Sequence, residues 1–264
     1  MKKKTILMLS IAGSDNTCGA GVQADIKTCQ SVNAYCLNCV TAITSQNSKK
    51  VYKIVDSSVD LITSQISSIL SDYKIDCVKI GLVCSLIQAK TIYKLLKPFK
   101  KEIPIVIDPI YKSTTNVIFN NLKTYLLIYK TLSKLNPVFT PNLDEVKKLI
   151  NISFNKKISI EEILRKFTVD YNSLVVVTNC NEKNITSDDY FVSENGNIGK
   201  HTSDLIKSKN THGTGCTFST LLAINLARGC SLSESIKLSK KLMIKFILNS
   251  PKFNLDYGPL GHLL

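Results

Sequence analysis

Arginine is almost missing from this chain: of 34 basic residues only Arg165 and Arg228 carry a guanidinium, and the rest are lysines. Set against 20 acidic residues this gives a formal net charge of +14, yet the lysines are scattered and only Lys2, Lys3 and Lys4 form a block. Arginine is the side chain of bidentate base and phosphate contacts, so its scarcity argues against nucleic acid as a partner. Lysine spread over solvated faces accounts for the charge. Long hydrophobic runs are missing too. The longest, near 173–177 and 221–227, stop well short of the roughly 20 residues that span a bilayer, so no membrane partner is expected. With 11 glycines and 7 prolines the chain is neither collagen-like nor low in complexity. No linker, repeat or composition break divides it, and a single domain over 1–264 is expected.

Cysteine is plentiful by comparison, at nine residues, but the only short pairing is Cys36-Leu-Asn-Cys39. Without a second pair or nearby histidines this is a weak metal or redox signal, and reduced, mostly buried thiols are expected. Residues 1–12 imitate a secretory leader. Their apolar part is only about 7 residues long and runs straight into a chemistry-bearing loop, so a cytoplasmic protein is expected instead.

Strand-length apolar runs at 5–11, 36–43, 76–80, 103–107, 137–139 and 173–178 alternate with helical spacing at 21–31, 59–70, 86–96, 122–132 and 143–150. Such alternation predicts right-handed βαβ units, hence a doubly wound α/β fold with a mostly parallel central sheet and helices on both faces. After 178 the pattern changes to a hairpin, 188–192 and 199–202, around an Asn-Gly turn, followed by helices at 214–228 and 232–248. Ligands of such sheets sit beyond the carboxyl ends of the strands. The polar and glycine-rich segments lie there.

The sharpest of them is Asn210-Thr-His-Gly-Thr-Gly-Cys-Thr-Phe-Ser219, leading into an apolar helix. Gly213 and Gly215 let successive N–H groups converge at the positive end of that helix, a place for an anion, although a lone Gly-x-Gly more often only starts a helix. Asp108-Pro109 and Asn142-Leu-Asp-Glu145 put acids where loops leave the sheet. Carboxylates there suit Mg²⁺ in phosphoryl transfer; the plainer alternatives are an Asp-Pro turn and a capping box. Near the start, the small residues Gly13, Gly19, Ala20 and Gly21 admit a ligand close to the backbone, with Asp25 and Gln46 offering polar groups to a small heterocycle.

Taken in order, Ile11-Ala-Gly-Ser-Asp15, Gly19-Ala-Gly-Val-Gln-Ala-Asp-Ile-Lys-Thr28, Thr41-Ala-Ile-Thr-Ser-Gln-Asn47, Lys79-Ile-Gly-Leu82, Thr140-Pro-Asn-Leu-Asp-Glu145, 209–219 and the tail Tyr257-Gly-Pro-Leu-Gly-His262 resemble the hydroxymethylpyrimidine/phosphomethylpyrimidine kinases of thiamine biosynthesis, in the ribokinase superfamily. The resemblance covers essentially the whole chain. It implies a ribokinase-like three-layer sandwich that phosphorylates 4-amino-5-hydroxymethyl-2-methylpyrimidine and then its monophosphate. It places the pyrimidine against Gly13, Ala20, Asp25, Thr44, Gln46 and Leu82, and the nucleotide along Asn142, Thr178 and Thr211. Metal waters fall to Asp108, Asn142 and Glu145, the anion hole to Gly213, Thr214 and Gly215, and the base position to Cys216. ATP and Mg²⁺ are the implied cofactors, and a homodimer the implied assembly. At a helix N-terminus, where thiol pKa values fall, a Cys216 thiolate able to accept the hydroxymethyl proton is expected.

The resemblance is uneven. Where the family has Lys-Gly-Gly-His this chain reads Thr178-Asn-Cys-Asn181, the loop after Asp108 has Asn116 and Val117 in place of Gly-Asp, and Asn16 and Cys18 replace Pro and Gly of the first loop. The pyrimidine half keeps its motifs and the nucleotide half departs from them. A pyridoxal or pyridoxine kinase, and a pyrimidine-binding homologue with weak catalysis, are the alternative readings.

Overall fold

The computed structural model describes residues 4–152, 158–180 and 186–263. In chain order the elements are β1 (Ile6–Asp15), α1 (Gly21–Ser31), β2 (Ala34–Gln46), β3 (Val51–Asp56), α2 (Val59–Asp72), β4 (Cys77–Ile80), α3 (Leu86–Leu96), β5 (Ile105–Ile107), α4 (Leu122–Leu132), β6 (Val138–Phe139), α5 (Leu143–Leu149), α6 (Ile160–Tyr171), β7 (Leu174–Val177), β8 (Thr186–Val192), β9 (Ile198–Asp204), α7 (Thr214–Ala227) and α8 (Leu232–Leu248). One sheet runs β3-β2-β1-β4-β5-β6-β7-β8-β9. Its six central strands are parallel, and antiparallel neighbours close each side: β3 on β2, and the β8–β9 hairpin on β7.

Both faces of the parallel strands are apolar, which is why these strands read as continuous hydrophobic runs. Leu9, Ile11, Ile80, Ile107, Phe139 and Val177 point into a core shared with α2 to α6. On the opposite face of the same sheet Met8, Cys77, Val106 and Val176 pack against α1, α7 and α8. Helix α7 is apolar nearly all round because it is buried nearly all round, from Cys216 to Asn225. In the first core Tyr111, Tyr125 and Tyr129 meet edge to face at 4.9 Å spacing. The Tyr125 hydroxyl donates to the Pro109 carbonyl at 2.7 Å, which fixes the turn just after Asp108.

The doubly wound architecture matches expectation, with three differences. Strand β1 continues to Asp15 because a bulge between Ala12 and Ser14 lets Ser14 and Asp15 pair with Ile43 and Thr44 of β2. Strand β3 and helix α6 were not expected: β3 is an edge strand with no buried residue, and α6 buries only Ile163, Leu164, Phe167 and Tyr171 between charged positions. All nine cysteines are free. No helix among the described residues is long and apolar enough to cross a membrane.

Candidate active site

A cavity of about 420 Å³ opens over the carboxyl ends of β1, β2, β4, β5, β6 and β7, on both sides of the point where strand order reverses between β1 and β4. One end is walled by Gly13, Ala20, Thr44, Gln46 and Leu82. Gly13 sits on the bulge, where a Cβ would lie 3.1 Å from Leu82 Cδ2 and would press on that side chain. The Thr44 hydroxyl donates to the Ser14 carbonyl (2.9 Å), and Gln23 bridges the Ser14 hydroxyl and the Asp15 N–H (2.8 and 2.9 Å), so the strand end is held rigidly. The Gln46 backbone N–H donates to Asn16 Oδ1 at 2.8 Å, while its side-chain amide makes no hydrogen bond among the described residues. Gln46 lines the cavity, and its amide is free to pair with a ligand.

The floor is the start of α7. Gly213 has φ 86°, and a Cβ on it would fall 1.9 Å from the Gly19 carbonyl oxygen, so only glycine lets the two loops interlock. Gly215 lies against Asp108: a Cβ there would come 3.3 Å from Oδ2. At the other end Asp108 and Glu145 are both buried. Burial pushes the Asp108 carboxyl up to about 6 against the pull of Lys79. Burial and the charge of Asp108 push Glu145 up to about 8, although it accepts from the Asn142 and Tyr111 N–H groups. Two buried carboxyls, one of them raised further by the charge of the other, favour a cation beside them. This donor set fits Mg²⁺, which takes one or two carboxylates and keeps its waters.

The structure brings to this cavity every expected site residue but one: Asp108, Asn142, Glu145, Thr178, Thr211, Gly213, Thr214, Gly215 and Cys216 line it along with the five of the first wall. Asp25 is the correction. It lies beneath the floor, wholly buried, paired with Lys79 Nζ at 2.9 Å and accepting from the Ser10 and Thr220 hydroxyls at 2.5 and 2.8 Å. A polar helix residue was expected to face ligand or solvent; a lysine 54 positions away takes it instead. The capping alternative for Asn142 and Glu145 is present too, as a reciprocal capping box. Asn142 Oδ1 is engaged there, accepting from the Glu145 N–H at 2.9 Å.

Cys216 is a second correction. Burial pushes its thiol up to about 12, with Asp108 and Asp25 adding to the rise against Lys79, so the helix terminus does not make a thiolate at neutral pH. Sequence reasoning passed over Asp15, Lys112, Thr114 and His212, which also line the cavity. Asp15 and His212 stood inside the quoted motifs, but their contact spans 197 positions. Of the segment that replaces Lys-Gly-Gly-His, Asn179 lines the cavity with φ 55° and Asn181 lies outside the described residues.

The family model described as phosphomethylpyrimidine kinase matches residues 15–261. A hydroxymethylpyrimidine/phosphomethylpyrimidine kinase of Staphylococcus aureus (strain MRSA252) is 32% identical, over 98% of this chain and 94% of the relative. Among solved structures, an ADP complex of Bacillus subtilis pyridoxal kinase superposes with a TM-score of 0.86 at 28% identity, covering 98% of both chains. A phosphomethylpyrimidine kinase from Clostridium difficile 630 superposes with 0.76, also at 28% identity, over 91% of this chain and 99% of the other.

Proposed function

Because the chain belongs to the phosphomethylpyrimidine kinase family, we propose that it transfers the γ-phosphoryl group of ATP to the hydroxymethyl oxygen of 4-amino-5-hydroxymethyl-2-methylpyrimidine, and then phosphorylates the monophosphate. The observation that carries this reading is the polarity of one cavity. It sets an unpartnered amide, Gln46, among small and apolar walls at one end, and two buried carboxylates beside a helix start at the other. Gln46 reads the ring nitrogen and amino edge of the pyrimidine, and Gly13, Ala20, Thr44 and Leu82 hold its faces.

The backbone N–H groups of Gly213, Thr214 and Gly215 receive the charge that grows on the phosphoryl oxygens, with Asn142, Thr178 and Thr211 along the nucleotide. Asp108 and Glu145 would hold Mg²⁺, which would supply positive charge to the polyphosphate. Phosphoryl transfer through a loose transition state asks for positioning and charge stabilisation more than for a base. A protonated Cys216 is therefore no obstacle, and its thiol fills the space between the helix start and Asp108.

Incubation with ATP, Mg²⁺ and the pyrimidine alcohol, followed by product analysis, tests the proposal: mono- and diphosphate of the alcohol are expected, and ADP without phosphorylated alcohol would sink it. Pyridoxal in the same assay tests the second reading, which the pyridoxal kinase superposition supports. We further propose a cytoplasmic homodimer that joins through the β2–β3 face, where Ile43 and Val55 pair across the strands and stand 60% and 52% exposed with Tyr52. Light scattering tests the dimer.

A further inference from the structure

A second cavity, of about 380 Å³, lies outside the first between the β2–β3 turn and the C-terminal tail, with Phe253, Leu255 and Tyr257 in its wall. The two cavities share Gln46, Thr114 and His212, so the His212 ring stands in the partition between them. That ring is held from both nitrogens. Nε2 lies 2.8 Å from Asp15 Oδ2, and Nδ1 lies 3.1 Å from the Thr114 hydroxyl.

The Asp15 side is rigid. Its carboxylate also accepts from the N–H groups of Thr17, Gly19 and Ala20. Burial alone would raise this acid, but the bonds from His212 and Thr17 hold it well below the usual carboxylate range. The ring packs against Gly19, where any Cβ would come 2.1 Å from His212 Cδ2. The Thr114 side belongs to the loop between β5 and α4. Across 113–117 that loop is otherwise bonded to itself, through Ser113 to Val117 and Thr115 and through the Asn116 turn. One imidazole therefore joins three segments: the pyrimidine loop, the loop that overhangs the cavity, and the anion-hole loop that begins at the next residue, Gly213.

We propose that His212 is a positioning residue that latches the 112–118 loop over the site through Thr114, so that the phosphoryl group meets the alcohol and not water. This rests on the kinase reading. In the coupled reaction the bond from the γ-phosphorus to the β–γ bridging oxygen breaks, a bond to the alcohol oxygen forms, and the alcohol proton passes to solvent. With the latch open, water replaces the alcohol as acceptor and the products are ADP, inorganic phosphate and a proton. Closure that excludes water is the general means by which kinases avoid this loss.

The test measures ADP and phosphorylated alcohol in the same reaction for the parent protein, His212→Ala, His212→Gln, Thr114→Val and Thr114→Ser. Thr114→Val and His212→Ala are expected to raise the ADP formed per phosphorylated alcohol by about two- to tenfold, the size of one lost hydrogen bond. His212→Gln, which keeps a donor for Asp15 and loses the group facing Thr114, should behave like Thr114→Val. Thr114→Ser should restore the parent ratio. Thr114 is a half-exposed loop residue, so its variants fold whether or not the His212 variants do. An unchanged ratio in Thr114→Val and in His212→Gln overturns the latch, even if total activity falls. A parent protein that forms ADP but no phosphorylated alcohol overturns the kinase reading itself, and the latch with it.

Discussion

The two ends of the cavity are built by different means. At the end proposed for the pyrimidine backbone meets backbone: the bulge at Gly13, the Gly19–Gly213 contact and the Gln23 bridge restrict the chain, and Gln46 is presented on a rigid strand end. At the end proposed for the nucleotide the geometry rests on charge. Asp108 and Glu145 are buried together and the charge of Asp108 adds to the rise of Glu145, an arrangement that a bound cation or a proton relaxes. That difference explains how the sequence can drift unevenly. A substitution among interlocked glycines destroys the wall, whereas at Thr178 the bond from its N–H to the Pro141 carbonyl holds the chain whatever the side chain is, and at Asn179 the bond from its N–H to Asp189 does so for a residue that accepts a left-handed backbone.

The comparison breaks most sharply at Gly215, where the two ends meet. Its missing Cβ is what lets Asp108 sit against the start of α7. Gly215→Val should displace Asp108 and misdirect one N–H donor, lowering kcat about 10²- to 10³-fold, the loss seen when one oxyanion-type donor is removed. Pyrimidine KM should move little. Steady-state kinetics with folding checked by circular dichroism decide it, and a change confined to pyrimidine KM would assign Gly215 to the wrong end.

Glu145→Gln removes charge but keeps the capping box, since glutamine serves at that position as well as glutamate. Turnover at saturating ATP should fall about tenfold or more, with a shifted Mg²⁺ dependence. Stability should move the other way. Because the folded state raises the Glu145 pKa from 4.5 to about 8, it favours the protonated acid, and the stability this contributes is lost as pH rises through about 8. Without added metal, Glu145→Gln should therefore melt higher than the parent at pH 8 and no higher at pH 4. Equal melting temperatures at pH 8 would mean that the carboxylate carries no strain.

How much of this was legible depended on distance along the chain. The strands read correctly wherever both faces are apolar, and the glycine, Asp-Pro and Asn-x-x-Glu loops singled out in the sequence all reach the cavity because their reasons are local. The edge strand β3 left little periodicity to find. Asp25 misled because its partner Lys79 sits on another strand, and nothing local to α1 announces a buried ion pair. Asp15 and His212 were in view as letters and invisible as a pair. Cys216 was misjudged for the same reason: a helix start is local, but Asp108 and Asp25, which together with burial reverse its effect, come from β5 and α1.

A gentler way to sharpen the contrast is Gln46→Ala. The amide belongs to the rigid end and has no protein partner to reorganise, so its loss should leave the fold and the ATP KM alone. A ring edge left unpaired costs about 1 to 3 kcal/mol, which is roughly five- to 150-fold in pyrimidine KM. Equal changes in both KM values would mean that Gln46 does not face the pyrimidine.

The smallest effect is expected at Cys216, which touches both ends and serves neither by ionising. A thiol pushed up to about 12 is a poor proton acceptor at neutral pH, and serine, smaller and higher still in pKa, offers no better one. If the residue only fills space beside Asp108, Cys216→Ser should cost less than tenfold in kcat, because proton removal is a minor part of a loose transition state. The pH profile of kcat should keep its shape between pH 6 and 9, since neither side chain titrates there. Cys216→Asp sharpens the point: a third carboxylate beside Asp108 and Asp25 should raise the Mg²⁺ requirement through repulsion even if it accepts a proton well. A fall at Cys216→Ser larger than that at Gly215→Val, with loss of a limb of the pH profile, would show that substrate binding brings the thiol into its ionised form. The transfer would then depend on the cysteine and not on the backbone donors beside it.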